Sequence, residues 1–260
     1  MPYDPPMPAA ADLDAWAARL VKDGVAGPHR SHSHHNNMGK LRRTLEGDPT
    51  CTFGVKDLHL MSYDEALLVV ADVCGWKMEE PTDYVGPLRT LGGAVEAGRA
   101  CRDLAAAGGE VIVATGHPDT LIPFVGGIAE LLEAAGMTIR RDCDGTTVNA
   151  GFRARTIEYE KGVAVLADDW GAIHTHSPEG MLTLLAAGPP PDLVVADHGW
   201  AGAAMEAGIF TVATLDTNDP ALALAKAKGA PGILIPLDDG RPPLMYEPVL
   251  EAFRAGFDGA

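Results

Sequence analysis

The sequence predicts an α/β fold, a three-layer and mostly parallel (Rossmann-like) sheet with helices on both faces. From residue 89 onward, short apolar runs of strand length alternate with segments of helical periodicity. Polar residues follow almost every one of these runs. A small β-hairpin insertion interrupts this alternation of strands and helices. A helical N-terminal region precedes the whole alternating part of the chain. We therefore predict one α/β domain over residues 1–260, with an N-terminal helical or lid region at 1–88 and a parallel-sheet core at 89–260.

The N-terminal region has two segments with helix signals and one without. Residues 12–22 are predicted to form a short helix, whereas the polar, histidine-rich stretch 25–50 is predicted to be irregular. Ser62 and Glu65 fit a capping box, so a helix is expected to begin there and to continue through the apolar run 66–74.

The parallel-sheet core is predicted from strands and helices that alternate along the chain. Four apolar runs are expected to be buried strands, at 111–114, 193–196, 209–215 and 233–235. Helices are expected around them, at 97–104, at 121–132, from 175 or 177 to 185, at 203–207, from 219 onward and at 246–255. Residues 138–140 are a further candidate strand, and 146–167 are a hairpin region whose last strand is central.

The charge balance argues against a nucleic-acid partner. The 260 residues carry a formal net charge of −16 at pH 7, whereas nucleic-acid binding needs a basic surface. An anionic substrate would need local positive groups or a metal ion to be held. Basic residues do cluster near the N-terminus: His29, Arg30, His32, His34, His35, Lys40, Arg42 and Arg43.

Cysteine usage and hydropathy indicate a cytoplasmic protein. Four widely spaced cysteines without a C-x-x-C pair are typical of reduced thiols rather than of a disulfide framework. The N-terminus lacks the pattern of a signal peptide, and no apolar run approaches the roughly 20 residues of a membrane helix. We expect neither a membrane nor a nucleic acid as partner, and the oligomeric state stays open, a homo-oligomer included.

Acidic, amide and imidazole side chains follow the predicted strands. In parallel sheets, ligands bind outside the carboxyl ends of the strands, so these side chains are expected to converge. They lie in six short segments, at 115–120, 168–169, 174–177, 197–199, 216–219 and 238–239. This convergence is the main evidence for a binding site.

The segment Thr115-Gly116-His117 lies between a predicted strand and a predicted helix. Backbone N–H groups at a helix start can hold an anion, and glycine permits close approach of the ligand. A plain strand-to-helix turn is the alternative. The segment is neither a P-loop nor a G-x-G-x-x-G fingerprint, so no nucleotide cofactor is expected.

His174 and His176 flank a single residue, so on a strand both would face the same side, with Ser177 at the start of the next helix. Two imidazoles on one face suit metal binding or general acid–base catalysis, and a pair of hydrogen-bonding histidines is the alternative. Asp197 and His198 follow the next strand and could supply a base or a ligand. An Asp at a strand end is, however, often only a helix cap.

Oxygen-bearing side chains after the last two strands indicate a divalent cation. Asp216, Asn218, Asp219 and Asp238 could coordinate Mg²⁺ or Mn²⁺ through oxygen atoms. Asp219 precedes Pro220 and could equally be the N-cap of a helix.

The histidine-rich segment after residue 30 allows two interpretations. It could be a substrate lid that brings Asn36, Asn37, Lys40 and Arg43 to a phosphate. Lys40 and Arg43 would share one helical face if a helix begins near Asn37. The segment could equally be a solvated loop with adventitious metal affinity.

One nucleophile motif is rejected. Residues 142–146 match the D-x-D-G-T signature of haloacid-dehalogenase-type enzymes. That signature needs a hydrophobic strand directly before its first Asp, whereas Arg140 and Arg141 precede it here. The sequence also lacks a G-x-S-x-G nucleophile elbow.

Five segments form a specific set in a specific order: ATGHP at 114–118, HTHSPEGM at 174–181, VVADHGWAGAA at 194–204, DTNDPAL at 216–222 and PLDDG at 236–240. Together they resemble an actinobacterial protein family described broadly as phosphatases. The resemblance covers most of the chain and implies phosphatase activity.

With this resemblance, the sequence predicts a phosphatase that hydrolyses a phosphomonoester of a small metabolite, such as a sugar phosphate or a nucleotide, with help from a divalent metal ion. A sugar-phosphate isomerase or lyase and a non-catalytic phosphate-binding protein are the alternatives. The candidate catalytic residues are His117, His176, Asp197, His198 and Asp216, with His198 or His176 as general acid. The candidate substrate-binding residues are Asn36, Asn37, Lys40, Arg43, Thr115, Gly116, His174 and Ser177. The candidate metal ligands are Asp216, Asn218, Asp219 and Asp238.

Overall fold

Five parallel strands form the central sheet, and four antiparallel strands form a second sheet beside it. The structure, a computed structural model, describes residues 10–77, 83–150 and 153–259. In chain order the strands are β1 (Glu110–Val113), β2 (Thr138–Ile139), β3 (Thr147–Ala150), β4 (Arg153–Glu160), β5 (Val163–Asp168), β6 (Gly171–Ala172), β7 (Leu193–Asp197), β8 (Thr211–Leu215) and β9 (Gly232–Pro236). The parallel sheet has the order β2-β1-β7-β8-β9, and the antiparallel sheet has the order β3-β4-β5-β6.

The helices cover both faces of the central sheet. They are α1 (Ala10–Asp23), α2 (His34–Leu45), α3 (Pro49–Thr52), α4 (Tyr63–Cys74), α5 (Pro87–Ala106), α6 (Pro118–Ala134), α7 (Glu179–Ala187), α8 (His198–Glu206), α9 (Pro220–Ala227) and α10 (Glu247–Asp258). Short 3₁₀ helices span Leu58–Leu60 and Pro243–Tyr246. None of the helices in the described parts of the chain is both long and apolar enough to cross a membrane.

Alternation along the strands produces two separate hydrophobic cores. Ile112 and Val194 point to one face of the sheet, where α2, α4, α7, α8 and α9 contribute apolar side chains. Val111, Val113 and Val195 point to the opposite face, which α1, α5, α6 and α10 cover. Each such buried side chain contributes about 1.5–3 kcal/mol of hydrophobic stabilisation. The predicted α/β fold, with a mostly parallel sheet between helices, is thereby confirmed.

The two sheets meet where β1 ends. The N–H of Thr115 donates to the carbonyl of Ala164 in β5 at 3.0 Å, and the N–H of Ala114 donates to the carbonyl of Val195 in β7 at 3.0 Å. Because both neighbours hold the backbone here, the residue that follows β1 has a defined position at the carboxyl edge of the sheet.

The sequence predicted an irregular stretch over residues 25–50. This prediction is wrong, because α2 occupies much of the stretch. Ser33 is the N-cap of this helix, and its side chain accepts a hydrogen bond from the N–H of Asn36. Met38 and Leu41 are buried on the inner face of the helix. The predicted capping box of Ser62 and Glu65 is confirmed at the start of α4.

Two predicted boundaries at the strand ends are wrong. Helix α8 begins at His198 rather than near Ala203, so the His198-Gly199-Trp200 segment forms its first turn. Helix α7 begins at Glu179 rather than at residue 175 or 177, and His174 and His176 lie in the loop between β6 and α7 rather than on a strand.

Candidate functional site

The carboxyl ends of the central strands carry a cluster of buried acidic side chains. Five of them come from β7 or from the turns after β8 and β9, and we call them the carboxylate cluster: Asp197, Asp216, Asp219, Asp238 and Asp239. Each is at most 6% exposed. Ionised carboxylates are rarely buried without compensating partners, so their concentration here identifies a candidate functional site.

The loop after β1 uses its backbone N–H groups inside the protein. The N–H of Gly116 donates to Oδ1 of Asp197 at 2.5 Å, and the N–H of His117 donates to Oγ1 of Thr115 at 2.9 Å. Oγ1 of Thr115 donates in turn to Oδ2 of Asp197 at 2.5 Å. An anion at this loop would therefore meet side chains rather than the free backbone donors of a phosphate-binding turn.

Asp197 holds the loop after β1 in place by accepting hydrogen bonds from Thr115 and Gly116. Burial alone would raise the pKa of its carboxyl group, but the hydrogen bond and charge of His198, together with the donors of Thr115 and Gly116, outweigh burial and lower the pKa. Asp197 is therefore ionised at neutral pH. Its contacts are those of a positioning residue.

Glycines allow three backbone segments to approach one another at this edge. The N–H of Thr175 donates to the carbonyl of Gly116 at 2.8 Å. A Cβ atom on Gly116 would lie 2.3 Å from the carbonyl oxygen of Thr175 and 3.1 Å from Nδ1 of His198. A Cβ atom on Gly199 would lie 2.3 Å from the carbonyl oxygen of His176. Larger residues would push the histidine-bearing segments apart.

Four histidine rings pack together above this contact, and we call them the imidazole cluster: His117, His174, His176 and His198. The ring centroids are 4.3 Å apart for His117 and His174, 5.0 Å for His174 and His176, and 4.6 Å for His176 and His198. Phe53 lies edge-on to His176 and His198, at 5.1 Å and 5.4 Å. The structure thus brings together histidines from three separate segments.

Hydrogen bonds define which ring nitrogens of two of these histidines carry a proton. Nδ1 of His176 lies 3.1 Å from the carbonyl oxygen of Thr50, which can only accept, so this nitrogen is the donor. Oγ1 of Thr120 donates to the carbonyl of Asp239 at 2.6 Å and lies 2.8 Å from Nδ1 of His117. The Thr120 hydroxyl therefore accepts from His117. In the neutral form, both imidazoles keep a lone pair on Nε2.

Packing among the rings lowers the pKa values of His174 and His176. For His174, loss of water around the ring and the charges of His198 and His117 lower the pKa to about 4, although part of this side chain is exposed. For His176, burial is the largest cause, and the charge of His198 adds to it. Both side chains are therefore neutral at pH 7 and available as bases or ligands.

His198 joins the imidazole cluster to the carboxylate cluster. Its Nδ1 lies 3.4 Å from Oδ1 of Asp197, and its Nε2 lies 3.3 Å from Oδ2 of Asp219 and 3.4 Å from Oδ2 of Asp239. Burial alone would lower the pKa of His198, but the three carboxylates outweigh burial and raise it well above the usual value. The backbone of His198 is left-handed, with φ of 43°, which is uncommon outside glycine and frequent at functional sites.

Asp219 is not a side-chain cap, although it precedes the first residue of α9. Its carboxylate makes no capping hydrogen bond to the helix and instead accepts from the N–H of Asp216 at 3.3 Å. Burial would raise the pKa of Asp219, but His198 and His176 lower it to about 2. This carboxylate therefore faces the cluster as an anion.

The segment before α2 covers Asp216. Oγ of Ser31 donates to Oδ2 of Asp216, and Nδ1 of His32 lies 3.1 Å from the same oxygen. Burial and the neighbouring Asp239 raise the pKa of Asp216 to about 6, against the opposing effect of His32 and Ser31. Of the histidine run, His32 thus contacts the site, whereas His34 and His35 are exposed in the first turn of α2.

Asp238 has two partners on its outer side, an imidazole and a guanidinium. Nε2 of His29 lies 3.0 Å from Oδ2 of Asp238, and Nη2 of Arg241 lies 2.8 Å from the same oxygen. Burial raises the pKa of Asp238, but His29, the N–H of Gly240 and Arg241 outweigh it, so the pKa is lowered.

Three groups of these side chains have the geometry of a metal site. In each group, one ligand atom per residue lies within 4.8 Å of the others; the groups are His174, His176 and His198; His198, Asp219 and Asp239; and Asp216, Asp238 and Asp239. Buried carboxylates and neutral imidazoles are the donors that divalent cations prefer in proteins. The donor set fits such an ion, provided that the cation displaces the proton of His198 on binding. Asp239 was missing from the predicted ligands, although its place directly after β9 beside Asp238 was the signal that could have identified it.

Helix α2 brings two of the predicted substrate-binding residues to the site. Asn37 is buried, and its Oδ1 accepts a hydrogen bond from Oγ1 of Thr217 at 3.2 Å. The half-buried Lys40 lies close enough to His176 for its charge to contribute to the lowered pKa of that imidazole. Asn36 is exposed in the first turn of the helix.

Arg43, one turn beyond Lys40, is bound elsewhere. Its Nη2 lies 2.7 Å from Oδ2 of Asp48 and 3.0 Å from Oγ1 of Thr50, so it holds the corner between α2 and α3. The half-buried Asp48 accepts hydrogen bonds from Thr50 and Arg43, which lower its pKa to about 2.

The remaining residues that the sequence analysis named lie at the edge of the candidate site or outside it. Oγ of Ser177 accepts from the N–H of Glu179 at 3.2 Å at the start of α7, and Asn218 is half-buried in the turn after β8. Asp168 is paired with Arg155 on the antiparallel sheet. Asp142 and Asp144 of the rejected D-x-D-G-T motif are exposed in the turn before β3.

Comparison with known proteins gives one family and one curated relative. The family model described as Phosphatase matches residues 11–253 of this chain. Phosphatase SCO2771 of Streptomyces coelicolor is 32% identical over 255 residues, which cover 94% of this chain and 95% of the relative. No solved structure matches the chain.

Proposed function

Because the chain belongs to the Phosphatase family, we propose that it hydrolyses a phosphomonoester of a small metabolite, such as a sugar phosphate or a nucleotide, with help from a divalent cation. The observation that carries this proposal is the junction at His198, where neutral imidazoles meet a buried carboxylate cluster. Ion-binding oxygens and proton-transfer groups stand side by side at the carboxyl edge of the sheet, where α/β proteins bind their ligands.

The cation would be held in the carboxylate cluster, where His198, Asp219 and Asp239 form one candidate ligand group and Asp216, Asp238 and Asp239 form another. Such an ion neutralises charge on the phosphoryl oxygens and lowers the pKa of a water molecule. Mn²⁺ or Mg²⁺ suits the carboxylate oxygens, and the imidazole of His198 favours Mn²⁺ over Mg²⁺, which prefers oxygen ligands.

His176 is the proposed proton-transfer residue. Its Nδ1–H is directed to the carbonyl of Thr50, so its Nε2 carries the lone pair. Since its pKa is lowered, the ring is neutral at pH 7 and is suited to accept a proton from the attacking water. This role fits the lowered pKa better than that of general acid.

Substrate binding is assigned to residues on the imidazole side of the site. We propose that Lys40 supplies a positive charge for the phosphate, and that His117 and His174 line the opening. Thr115 and Gly116 act through Asp197, which they hold in place. The hydrogen bonds of Arg43 to Asp48 and Thr50 give this residue a supporting role.

A panel of sugar phosphates, nucleoside monophosphates and p-nitrophenyl phosphate tests the proposal. We expect release of inorganic phosphate, loss of that release in EDTA and its return when Mn²⁺ or Mg²⁺ is added. Turnover of a sugar phosphate without phosphate release would indicate an isomerase or lyase instead. Binding of phosphate compounds without turnover under any metal condition would overturn the hydrolase proposal.

A further inference from the structure

Asp239 belongs to two of the candidate ligand groups, and this overlap points to more than one ion. One group joins Asp239 to His198 and Asp219, and the other joins Asp239 to Asp216 and Asp238. All five side chains are buried. A carboxylate has two oxygens, so it can bind one cation on each side, as in sites where two ions lie roughly 3.5–4 Å apart.

The balance of charge in the carboxylate cluster favours additional cations. Within the described residues, the ion-pair partners of the five carboxylates are four histidines and one arginine, namely His29, His32, His117, His198 and Arg241. Arg241 is the permanent cation among these partners. Buried carboxylates in one cluster are unfavourable unless cations compensate them, and a bound metal ion is such a cation.

Two local contacts of the cluster suit a bound cation. Nε2 of His117 faces Oδ1 of Asp239 at 3.8 Å, which is beyond hydrogen-bonding distance. Oδ1 of Asp219 is buried and has no hydrogen-bond partner among the described residues. A buried acceptor without a donor is costly, and a bound cation would satisfy both sites.

The contacts behind the ligands fix their orientation. His29 and Arg241 hold Asp238 from its outer side, and Ser31 and His32 hold Asp216. Outer contacts of this kind orient carboxylates that bind metal ions.

We propose that the site binds two divalent cations side by side, one on His198, Asp219 and Asp239 and the other on Asp216, Asp238 and Asp239, with the Asp239 carboxylate as the shared ligand. The pair of ions would be the binding place of the phosphate dianion, and this last step rests on the proposed function. The binding of the two ions does not depend on the proposed function.

Metal content and electron paramagnetic resonance of the full chain test the proposal without any substrate. Protein stripped with EDTA and saturated with Mn²⁺ is expected to bind about two ions per chain and to give the spectrum of a magnetically coupled pair. Asp238→Asn and Asp219→Asn should each reduce the content to about one ion and give the spectrum of an isolated Mn²⁺. Asp239→Asn should abolish the coupling. Asp144→Asn, an exposed site outside the cluster, is the matched control and should behave as the unmodified protein.

Measurements on the unmodified protein test the two-ion site even if a variant does not fold. Saturation at about one ion or none, or a spectrum without coupling, would overturn the shared site. Coupling that survives in folded Asp239→Asn would overturn the role of that carboxylate. A coupled pair of ions in a protein that releases no phosphate would overturn the proposed function but not the two-ion site. Phosphate release by a protein that binds a single ion would overturn the two-ion site but not the proposed function.

Discussion

At the scale of single residues, His198 determines how the site is organised. One ring contacts carboxylates on both of its nitrogens and packs against the other imidazoles. Asp197 and His198 were identified from the sequence because they follow a strand. Asp197 holds the loop after β1 in place, whereas His198 connects the imidazole cluster to the carboxylate cluster. These different roles depend on distances in the folded protein, which a sequence pattern does not give.

His176→Asn tests the proton-transfer role. The asparagine amide can still donate to the carbonyl of Thr50, but the lone pair of Nε2 is lost. We expect kcat to fall by about 10²–10⁴-fold, with a smaller change in KM and an unchanged fold. His59→Asn, the same replacement at an exposed histidine of a 3₁₀ helix, is the control. Equal kcat values for both variants would rule out this role for His176.

Gly116→Ala tests the close approach of the loops. The added Cβ would lie 2.3 Å from the carbonyl oxygen of Thr175, so the loop that carries the histidines must move. We expect a loss of activity of more than tenfold and a decrease of about 1–3 kcal/mol in the free energy of unfolding, measured by urea denaturation. Gly92→Ala in α5, where nothing lies within 4 Å of the new Cβ, should keep full activity. Full activity in Gly116→Ala would show that the approach is not required.

At the scale of elements, the strands were predicted better than the segments around them. Continuous apolar runs identified β1, β7, β8 and β9, because strands buried on both faces carry that signal. Helix α2 was missed because its histidine, asparagine and glycine residues are weak helix formers. The first turn of α8 was missed for a related reason. Its Gly199 and Gly202 lower helix propensity, yet they are required by contacts with His176 and Phe53.

Ser33→Ala tests the contribution of α2 to the site. Loss of the cap that Ser33 provides to the N–H of Asn36 should cost about 1 kcal/mol of stability and loosen the helix that carries Asn37 and Lys40. We expect KM for the phosphorylated substrate to rise. Ser62→Ala removes the equivalent cap of α4 at a similar cost in stability, measured by urea denaturation, but KM should stay the same. A KM effect of equal size in both variants would mean that α2 has no specific role.

At the scale of the whole molecule, the candidate ligands come from segments far apart in the chain. The candidate ligand groups combine His198 at the start of α8 with aspartates from the turns after β8 and β9, and the segment before α2 covers Asp216. A bound cation would therefore link elements that separate on unfolding. The fold itself depends on the two cores on either side of the sheet.

Mn²⁺ should accordingly stabilise the folded chain. An ion that binds only the folded state at one hundred times its Kd raises the free energy of unfolding by about 2.7 kcal/mol. We expect the Tm of EDTA-treated protein to rise with Mn²⁺ concentration, and the rise to be absent in Asp239→Asn but present in Asp144→Asn. A Tm that does not respond to Mn²⁺ or Mg²⁺ would contradict an ion site in the cluster.

The sequence by itself determined the α/β class, the alternation of buried strands and helices, and the positions of acidic and imidazole residues directly after the strands. Those features depend on local periodicity and on the general geometry of parallel sheets. Tertiary structure alone decided that Asp239 joins two ligand groups, that Arg43 is bound to Asp48, and that the N–H groups after β1 are occupied. These outcomes depend on which distant groups come within hydrogen-bonding distance, and that is set by packing across the two cores rather than by neighbours in the chain.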